Sequence, residues 1–405
     1  MTEVRTRIEP APSGSIHVGN ARTALYSWLF ARQNDGRFVL RIADTDAKRA
    51  TEENFRAVLK DLRWLGLNWD EGPDAGGPAG PYRQSERFDL YREQGEKLLG
   101  SGHAYRCYCT PEELDAARKR AQAEKRPPGY PGTCRNLTPE EIADHEAAGR
   151  SSVVRFAVPE AGSISFDDVV RGAVTTRLEQ IQDFVILRSD GTPTYQLAVT
   201  VDDMLMGITH IIRGEDLMAS TPRQLLLREA LGETGRPVFA HLPLLVSPDG
   251  RPLSKRWGDV SVAAYREQGF LPEALLNYLA LLGWSYDDKT NVFSVAELIE
   301  KFSLERVGRN PAAFDMAKLE WLNGHYIRRM SAADLTDRLV PFCARAGLPA
   351  DSPEGREILA RVAPLLLERL RRLDEVPPMV RFLFERTPPD EKARKALDGR
   401  AEYLT

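Results

Sequence analysis

The sequence predicts an α/β protein built on a parallel sheet, with a smaller inserted α+β domain and an all-α C-terminal region. Three observations support this fold class: strand-like and helix-like patterns alternate over residues 4–104, the alternation resumes at 183–246, and mainly helical patterns follow residue 247. Alternating strands and helices are typical of parallel sheets, because parallel strands need a long crossover connection. At 405 residues the chain is long enough for three or four domains.

The first strand and helix are joined by a turn rich in glycine and proline. We expect a strand at 4–9 and a helix at 17–33, since apolar residues recur there at helical spacing. The turn between them contains Pro12, Ser13 and Gly14. A helix N-terminus attracts phosphate, because its N–H groups are unpaired and carry partial positive charge. His17 can donate to phosphate oxygens, and Gly19 would let an adenine ring lie flat on the backbone.

The following segments continue the alternation and then interrupt it. We expect a strand at 37–43, a helix at 51–65 with Thr51 as its N-cap, and a helix at 87–101. Residues 105–182 break the pattern and are expected to form the inserted domain. Its expected elements are a charged helix at 111–124 and strands near 152–158 and 164–170.

Several motifs resemble one enzyme family. PAPSGSIHVGNARTA (10–24) resembles the HIGH motif of class I aminoacyl-tRNA synthetases, in the form used by glutamyl-tRNA synthetases, and PLSKR (252–256) resembles their KMSKS-type loop. Further matches, colinear from residue 4 to about 330, include RIADTD (41–46), YRQSER (82–87) and FDMAKLEWLNGHYI (314–327). The resemblance implies that glutamate and ATP give glutamyl-adenylate and pyrophosphate, and that glutamate is then esterified to the terminal adenosine of tRNA(Glu).

The resemblance also implies how the chain is divided. A Rossmann-like catalytic domain would comprise 1–104 and 183–246, and an inserted domain for the acceptor stem would comprise 105–182. Residues 247–325 would carry the KMSKS-type loop and helices that contact the stem, and 326–405 would form a helical anticodon-binding region. Family members usually continue with a second helical subdomain. We therefore expect this last region to be incomplete and anticodon discrimination to be weak. The alternative is an enzyme dedicated to reading the acceptor stem.

ATP binding is implied at two segments that are distant in the sequence. His17 and Lys255 match the catalytic positions of the motifs, and Lys255 should neutralise the departing phosphates. The implied ATP site comprises Pro12, Ser13, Gly14, His17, Gly19, Asn20, Ser254, Lys255 and Arg256. Mg²⁺ is expected, because a triphosphate must be partly neutralised. Asp44 and Asp46 follow an apolar strand, so we expect them at the edge of the cleft.

Glutamate recognition is implied by the same resemblance. Arginine suits a carboxylate, because its planar guanidinium matches both oxygens. The expected site comprises Arg7, Glu9, Ala11, Ala43, Tyr195 and Arg213. Ala43 stands where the family has a glutamate that faces the substrate ammonium, and Glu9 stands where it usually has a small residue. The two strands before them should end at one sheet edge, so we hypothesise that Glu9 replaces the missing carboxylate. Alternatively, Glu9 is an ordinary loop carboxylate and the site is weakened.

A zinc site is expected in the inserted domain. Closely spaced cysteines in a cytosolic protein suggest a metal more than a disulfide. Cys107, Cys109, Tyr130 and Cys134 resemble the C-x-C…Y-x3-C zinc site of some family members and of glutamyl-queuosine tRNA(Asp) synthetases. Asn136 replaces the usual histidine, so Tyr130 or water would complete the four ligands that zinc prefers. The alternative is three reduced, buried thiols. Cys343 is expected in an apolar core.

Composition limits the partners and the location. The net charge is −4, so tRNA contacts would use local basic patches rather than the whole surface. Each basic patch taken alone is more often a solvated helix face than a phosphate site, and the family resemblance favours the phosphate site. The candidates are Arg118, Lys119, Arg120, Lys125, Arg126, Arg328, Arg329, Arg369, Arg371 and Arg372. No apolar run reaches the roughly 18 residues that a membrane helix needs. We expect a cytoplasmic protein without a signal peptide, and a monomer.

Other functions remain to be weighed against the leading one. The same chemistry on another tRNA, as in glutamyl-queuosine formation, usually lacks the helical region that follows residue 256 here. A non-discriminating enzyme would also charge tRNA(Gln). A small-molecule nucleotidyltransferase would need neither the insertion nor the helical tail. A non-catalytic tRNA-binding module would have no reason to keep His17, Lys255 and Arg213 together.

Overall fold

Strands and helices alternate along the first hundred residues of the computed structural model, as predicted. The structure describes residues 3–46, 50–125, 129–251, 253, 260–385, 391 and 394. Strand β1 (Arg5–Ile8) leads to helix α1 (Val18–Gln33) and strand β2 (Arg37–Leu40). The two strands are parallel, with Arg7 opposite Val39 and Ile8 opposite Leu40. Their carboxyl ends therefore meet at one edge, which confirms the predicted pairing.

Helices α2 (Glu52–Trp64) and α3 (Phe88–Gly100) complete the first α/β segment. The side chain of Thr51 accepts a hydrogen bond from the N–H of Asn54 at 3.2 Å, which confirms the predicted N-cap. Helix α2 buries Phe55, Val58 and Leu62 on one face, as its amphipathic pattern predicts.

The interrupting segment contributes to two different sheets. Its elements are β3 (Ala104–Cys107), α4 (Pro111–Ala123), α5 (Pro139–Ala147), β4 (Val153–Phe156), β5 (Ser163–Asp168) and β6 (Gly172–Arg177). Strands β3 and β4 join β7 (Phe184–Leu187) in an antiparallel sheet. The β5–β6 hairpin instead extends the sheet of the flanking α/β segment, where Asp168 is paired with Phe239.

The second α/β segment supplies the other strands of that sheet. It contains α6 (Tyr195–Leu205), β8 (His210–Gly214), α7 (Thr221–Ala230), β9 (Val238–Leu242) and β10 (Leu245–Val246). The sheet order is β6-β5-β9-β8, with β8 and β9 parallel. The N–H of Thr209 donates to the carbonyl of Arg5 at 3.0 Å, which places β8 beside β1. Buried residues such as Ile211 and Phe239 fill the layer between sheet and helices.

The remainder of the chain is mainly helical. It contains α8 (Val262–Glu267), α9 (Pro272–Leu281), α10 (Val295–Lys301), β11 (Ala312–Ala313), α11 (Met316–Arg328), α12 (Ala332–Arg345), α13 (Pro353–Leu366) and α14 (Val376–Phe384). Contacts divide the chain into a unit of Met1–Val262 with Leu279–Phe314, and a unit of Ala263–Tyr278 with Asp315–Thr405. Leu335, Leu339 and Leu359 lie in the core of the second unit, and so does Cys343, as predicted. None of the described helices is long and apolar enough to span a bilayer.

Candidate active site

One pocket brings together most of the described residues that were expected to bind glutamate and ATP. It is a cavity of about 350 Å³ in the first unit. Seven predicted residues line it: Arg7, Glu9, His17, Gly19, Asn20, Tyr195 and Arg213. Five others are absent from this lining: Ala11, Pro12, Ser13, Gly14 and Ala43. Ser254, Lys255 and Arg256 lie outside the described residues.

The start of helix α1 orients His17. His17 is the N-cap residue, and its Nδ1 accepts a hydrogen bond from the N–H of Gly19 at 3.0 Å. A neutral ring that accepts at Nδ1 carries its proton on Nε2, so the ring would offer Nε2–H as a donor to a phosphate oxygen. A Cβ at position 19 would lie 3.2 Å from that Nδ1, so glycine keeps this close approach unstrained. Gly19 therefore allows the close contact with the His17 ring as well as the expected contact with adenine.

The turn before His17 contains a left-handed glycine and is bonded to helix α2. Gly14 has φ +125°, a backbone conformation that favours glycine, which confirms the predicted turn. Asp61 on α2 accepts from the hydroxyl of Ser15 and from the N–H of Ile16, the latter at 3.0 Å. Asp61 is buried and was not singled out in the sequence. Its only signal was a charged residue within the apolar face of a helix.

Arg213 pairs with no described carboxylate, whereas Arg7 in the same pocket pairs with Asp203. Arg22, the third arginine of the lining, donates to the backbone carbonyls of Leu282 and Pro243. Arg213 is 3% exposed, its Nε donates to Nε2 of His241 at 3.1 Å, and its Nη2 donates to Oγ1 of Thr221 at 2.8 Å. Its Nη1 is buried and has no acceptor among the described residues. Burial lowers the pKa of this guanidinium. A buried cation without an anion is costly unless a ligand supplies one, so Arg213 is suited to receive a carboxylate.

Arg7 is already neutralised. Its Nε donates to Oδ1 of Asp203 at 3.1 Å, and its Nη2 donates to Oδ2 at 3.4 Å. Burial opposes ionisation of Asp203, but Arg7 and Arg41 outweigh it and hold the pKa of that carboxyl well below its usual range. Arg7 therefore contributes geometry and positive potential to the pocket, while its own charge is balanced.

Glu9 lies at the pocket wall and is held by two partners. Its Oε2 pairs with Arg41, and its Oε1 accepts from Nε2 of Gln84 at 2.9 Å. Burial raises the pKa of Glu9, and the positive charges of Arg41 and Arg7 counteract that rise. The N–H of Ala43 donates to the carbonyl of Pro10 at 3.1 Å, so positions 9 and 43 follow neighbouring strands, as predicted.

Sequence reasoning missed the charges that hold Glu9. Arg41 is fully buried, with its Nε 3.3 Å from Oδ2 of Asp202 and its Nη2 2.9 Å from Oδ1 of Asp203. Asp202 also accepts from Nε of Arg87 at 2.7 Å. The available signal was the pair of aspartates that ends the apolar run of α6, because buried carboxylates require cationic partners.

Asp44 serves the fold rather than the pocket lining. It is buried, and its oxygens accept from the N–H and the hydroxyl of Ser85, both at 2.8 Å, and from Nε of Arg83 at 3.1 Å. These bonds attach the segment around residue 85 to the end of β2. Asp44 is absent from the lining of the pocket.

The expected zinc ligands lie together in the inserted segment. The Sγ atoms of Cys107, Cys109 and Cys134 all lie within 4.8 Å of one another, and those of Cys109 and Cys134 are 3.6 Å apart. Sulfur atoms about 3.8 Å apart are what tetrahedral zinc–sulfur bonds of about 2.3 Å require. The hydroxyl of Tyr130 accepts from the N–H of Cys134 at 2.9 Å, which places its oxygen beside the thiols. This donor set fits a zinc ion.

Some of the basic residues proposed to contact tRNA form ion pairs with nearby carboxylates. Arg118 and Lys119 pair with Asp115 on their own helix, at 3.6 and 2.9 Å. Arg372 pairs with Asp374 at 3.0 Å and Glu320 at 3.2 Å. Lys125, Arg328, Arg329, Arg369 and Arg371 are exposed, as are Arg118, Lys119 and Arg120. Arg120 also lines a cleft beside the cysteines. Arg126 lies outside the described residues.

Comparisons with known proteins agree with this geometry. Residues 3–321 match the family model described as tRNA synthetases class I (E and Q), catalytic domain. The chain is 46% identical to a glutamate–tRNA ligase of Carboxydothermus hydrogenoformans, covering 97% of this chain and 82% of the relative. It is 47% identical to that of Streptomyces griseus, covering 98% and 80%.

A solved structure extends the similarity to three dimensions. The glutamate–tRNA synthetase of Elizabethkingia anophelis superposes with a TM-score of 0.87 at 36% identity, covering 98% of this chain and 84% of that one. The motifs, the pocket and both kinds of similarity agree. The chain therefore belongs to the class I aminoacyl-tRNA synthetases, in the glutamate and glutamine group.

Proposed function

We propose that this chain is a glutamate–tRNA ligase, which activates L-glutamate with ATP and esterifies it to the terminal adenosine of tRNA(Glu). The observation that carries the proposal is Arg213, a buried guanidinium at the pocket wall that pairs with no described carboxylate. A dicarboxylic amino acid brings the missing anion. The family relationship and its relatives' names support the same reaction.

The activation step needs no nucleophile from the protein. The substrate α-carboxylate is already ionised, so it attacks the α-phosphate without a general base. The residues position the reactants and stabilise the charge that develops on phosphate. Nε2–H of His17 and the N-terminus of α1 would donate to the phosphate oxygens. Lys255 would neutralise the departing pyrophosphate.

Mg²⁺ would enter with the triphosphate and offset part of its negative charge. Within the described ranges, the three cysteines are the one group of three or more His, Cys, Asp or Glu side chains whose ligand atoms lie within 4.8 Å of one another. The protein would therefore hold Mg²⁺ through the nucleotide, as is common for a hard ion that keeps several waters.

Glu9 would bind the substrate ammonium in place of the carboxylate missing at Ala43. Among the described residues, each Glu9 oxygen has one hydrogen-bond partner, Arg41 or Gln84, and a carboxylate oxygen can accept more than one hydrogen bond. The partners fix the carboxylate at the wall that Arg213 and Tyr195 also line. The position of Glu9 thus suits the polar end of the amino acid.

Zinc at the three cysteines would stabilise the fold of the inserted segment, which is expected to bind the acceptor stem. The ion would be held by Cys107, Cys109 and Cys134, with Tyr130 or water as the fourth ligand. Structural zinc adds folding free energy because the unfolded chain binds it poorly. We further expect a monomer that acts in the cytoplasm.

Glutamate-dependent exchange between ATP and pyrophosphate, measured with and without individual tRNAs, tests this function. We expect exchange with glutamate but not with glutamine or aspartate, and esterification of glutamate to tRNA(Glu). Charging of tRNA(Gln) or tRNA(Asp) as well would broaden the tRNA set. Absence of glutamate-dependent exchange in the presence of every tRNA would overturn the proposal.

A further inference from the structure

A chain of hydrogen bonds links three buried side chains to the pocket wall. Asp168 ends β5, His241 lies on β9 and Arg213 lies opposite His241 on β8. Oδ2 of Asp168 is 2.6 Å from Nδ1 of His241, and Nε2 of His241 is 3.1 Å from Nε of Arg213. The side chains of Asp168 and His241 are completely buried, and neither lines the pocket.

The chemistry of the groups fixes the direction of these bonds. The Nε–H of arginine can only donate, so Nε2 of His241 must accept. The proton of the neutral ring is therefore on Nδ1, which donates to Asp168. Asp168 is held in turn by the N–H groups of Val170 at 3.0 Å and Arg171 at 2.8 Å. Each of these N–H groups, including Nδ1–H of His241 and Nε–H of Arg213, thus has an acceptor.

The electrostatics favour the same protonation states. Burial lowers the pKa of His241 and outweighs the opposite effect of Asp168, so the ring is neutral at neutral pH. Burial opposes ionisation of Asp168, but the hydrogen bonds from His241 and the backbone outweigh it and lower the pKa of that carboxyl. The hydrogen-bonded series thus consists of the Asp168 carboxylate, the neutral His241 ring and the Arg213 cation.

Two of the three nitrogens of Arg213 are thereby fixed. Nε is bound by His241 and Nη2 by Thr221, which prevents the planar guanidinium from rotating. Nη1 remains buried and without an acceptor among the described residues. The pocket that Arg213 lines also contains Glu9 and Tyr195. A rigid donor of this kind loses little conformational freedom when it binds an anion.

We propose that Asp168 and His241 are positioning residues for substrate recognition: they hold Arg213 in the one orientation in which Nη1 binds a carboxylate of the amino acid. This inference rests on the proposed function. It assigns a role in the amino-acid site to Asp168, although Asp168 belongs to the segment that interrupts the α/β pattern. We call the hydrogen-bonded series Asp168–His241–Arg213 the relay. Asp168 and His241 act through Arg213 and contact no reacting atom.

Two substitutions at His241 separate this role from a purely structural one. His241→Gln keeps an acceptor that can reach Nε of Arg213, whereas His241→Leu has similar bulk and none. We expect His241→Leu to raise KM for glutamate at least about tenfold, as loss of a hydrogen bond to a charged group does. KM for ATP should change less than about threefold, and His241→Gln should recover most of the loss.

Tyr82→Phe is the matched control. It removes a buried hydrogen bond of 2.6 Å to Glu71 in the same unit, and Tyr82 is absent from the pocket lining. It should lower Tm without changing KM for glutamate. If His241→Leu lowers Tm as much and also leaves KM for glutamate unchanged, or if His241→Gln gives no recovery, the relay is wrong.

The experiments distinguish a wrong relay from a wrong proposed function. If the wild type charges tRNA(Glu) while His241→Leu keeps the wild-type KM for glutamate, the function stands and the relay falls. If the wild type does not charge tRNA(Glu), the function falls. Calorimetric titration with glutamate, glutarate and succinate then decides the relay: equal affinities of wild type and His241→Leu, or no binding, would overturn it.

Discussion

At the residue scale, the pocket depends on charges that have been taken out of water. Arg41 touches Glu9, Asp202 and Asp203, and it is completely buried. Removing one member of such a group leaves another charge without its partner, which costs far more than an exposed pair would. Positions 9 and 43 are therefore informative sites for testing which carboxylate faces the substrate.

We expect Glu9→Ala to raise KM for glutamate by roughly 30-fold or more, since losing one partner of a desolvated charge pair typically costs about 2–5 kcal/mol. The double variant Glu9→Ala with Ala43→Glu should restore part of the affinity, because it returns a carboxylate to the neighbouring strand end. Steady-state kinetics of ATP–pyrophosphate exchange measures both. An unchanged KM in Glu9→Ala would end the idea that these positions exchange roles.

The buried histidine gives the fold a defined dependence on pH. The pKa of His241 is lowered by burial, so between that value and the unfolded value of about 6.5 the folded state binds fewer protons than the unfolded state. Its stabilising contribution is complete above about pH 6.5 and is lost as the pH falls through the folded pKa. The neighbouring charges are Asp168, Arg213 and Arg7.

Acidification from pH 7.5 to 5.5 should therefore reduce the free energy of unfolding more in the wild type than in His241→Gln. One proton contributes at most about 1.4 kcal/mol per pH unit. Urea unfolding at a series of pH values measures the difference, and the other histidines cancel because both proteins contain them. Parallel curves for the two proteins would contradict this account.

At the scale of the elements, the start of α1 is fixed by a neighbouring helix. Asp61 on α2 binds the hydroxyl of Ser15 and the N–H of Ile16, directly before His17. Asp44 binds the hydroxyl and the N–H of Ser85 in the same way, but it is absent from the pocket lining. The two carboxylates form a matched pair for mutation.

Asp61→Ala should lower kcat for adenylate formation at least about tenfold, because misplacing a reacting group by about 1 Å can cost about 100-fold. Asp44→Ala should cost similar stability and leave kcat within about threefold. Single-turnover adenylate formation, with thermal unfolding of both variants, makes the comparison. Equal losses of kcat in the two variants would show that Asp61 acts only through stability.

The cysteine turn makes a second element-scale prediction. Protein purified without chelator should contain about one zinc per chain, and Cys134→Ser should reduce that ratio and lower Tm. Cys343→Ser is the control, since Cys343 is buried in the core of the other unit. Tyr130→Phe shows whether the hydroxyl is a ligand. A zinc content near zero in the wild type would leave three reduced thiols as the correct description.

At the scale of the whole molecule, a chain with net charge −4 must bind tRNA through local patches. Arg328 and Arg329 are exposed at the end of α11, and Nη1 of Arg329 lies 3.4 Å from Nε2 of His325. The ring centroids of His325 and Trp321 on the same helix are 6.0 Å apart. Cations beside aromatic rings suit phosphate contact and base stacking. These two arginines are the strongest candidates for tRNA contact in the second unit.

Reversing both charges, Arg328→Glu with Arg329→Glu, should raise KM for tRNA about tenfold or more and reduce the salt dependence of binding, because each lost phosphate contact removes about 0.7–0.9 from the logarithmic slope. Arg356→Glu with Arg361→Glu on α13 is the control, since these arginines pair with Asp337 and Glu357. Filter binding at several salt concentrations measures the slope. Equal effects of both double variants would indicate a general charge effect.

Local sequence patterns were sufficient to predict much of the secondary structure and part of the candidate site of this protein. The glycine turn, the cap at Thr51, most helix positions and the parallel pairing of β1 with β2 follow from turn chemistry, apolar spacing and the alternation of strands and helices. The motifs around His17, Tyr195 and Arg213 pointed to residues that share one pocket. Such features are local because they depend on neighbours a few positions away.

Those local patterns could not predict which side chains that are distant in the sequence form hydrogen bonds with each other. Arg7 and Asp203 are 196 positions apart, and Asp168 and His241 are 73 apart, yet each pair is in hydrogen-bond contact. A buried charge signals that a partner exists, but any opposite charge in the chain could satisfy it. Only the folded sheet selects the partner, because it brings the carboxyl ends of β1, β8 and β9 together. That selection leaves Nη1 of Arg213 without an acceptor among the described residues.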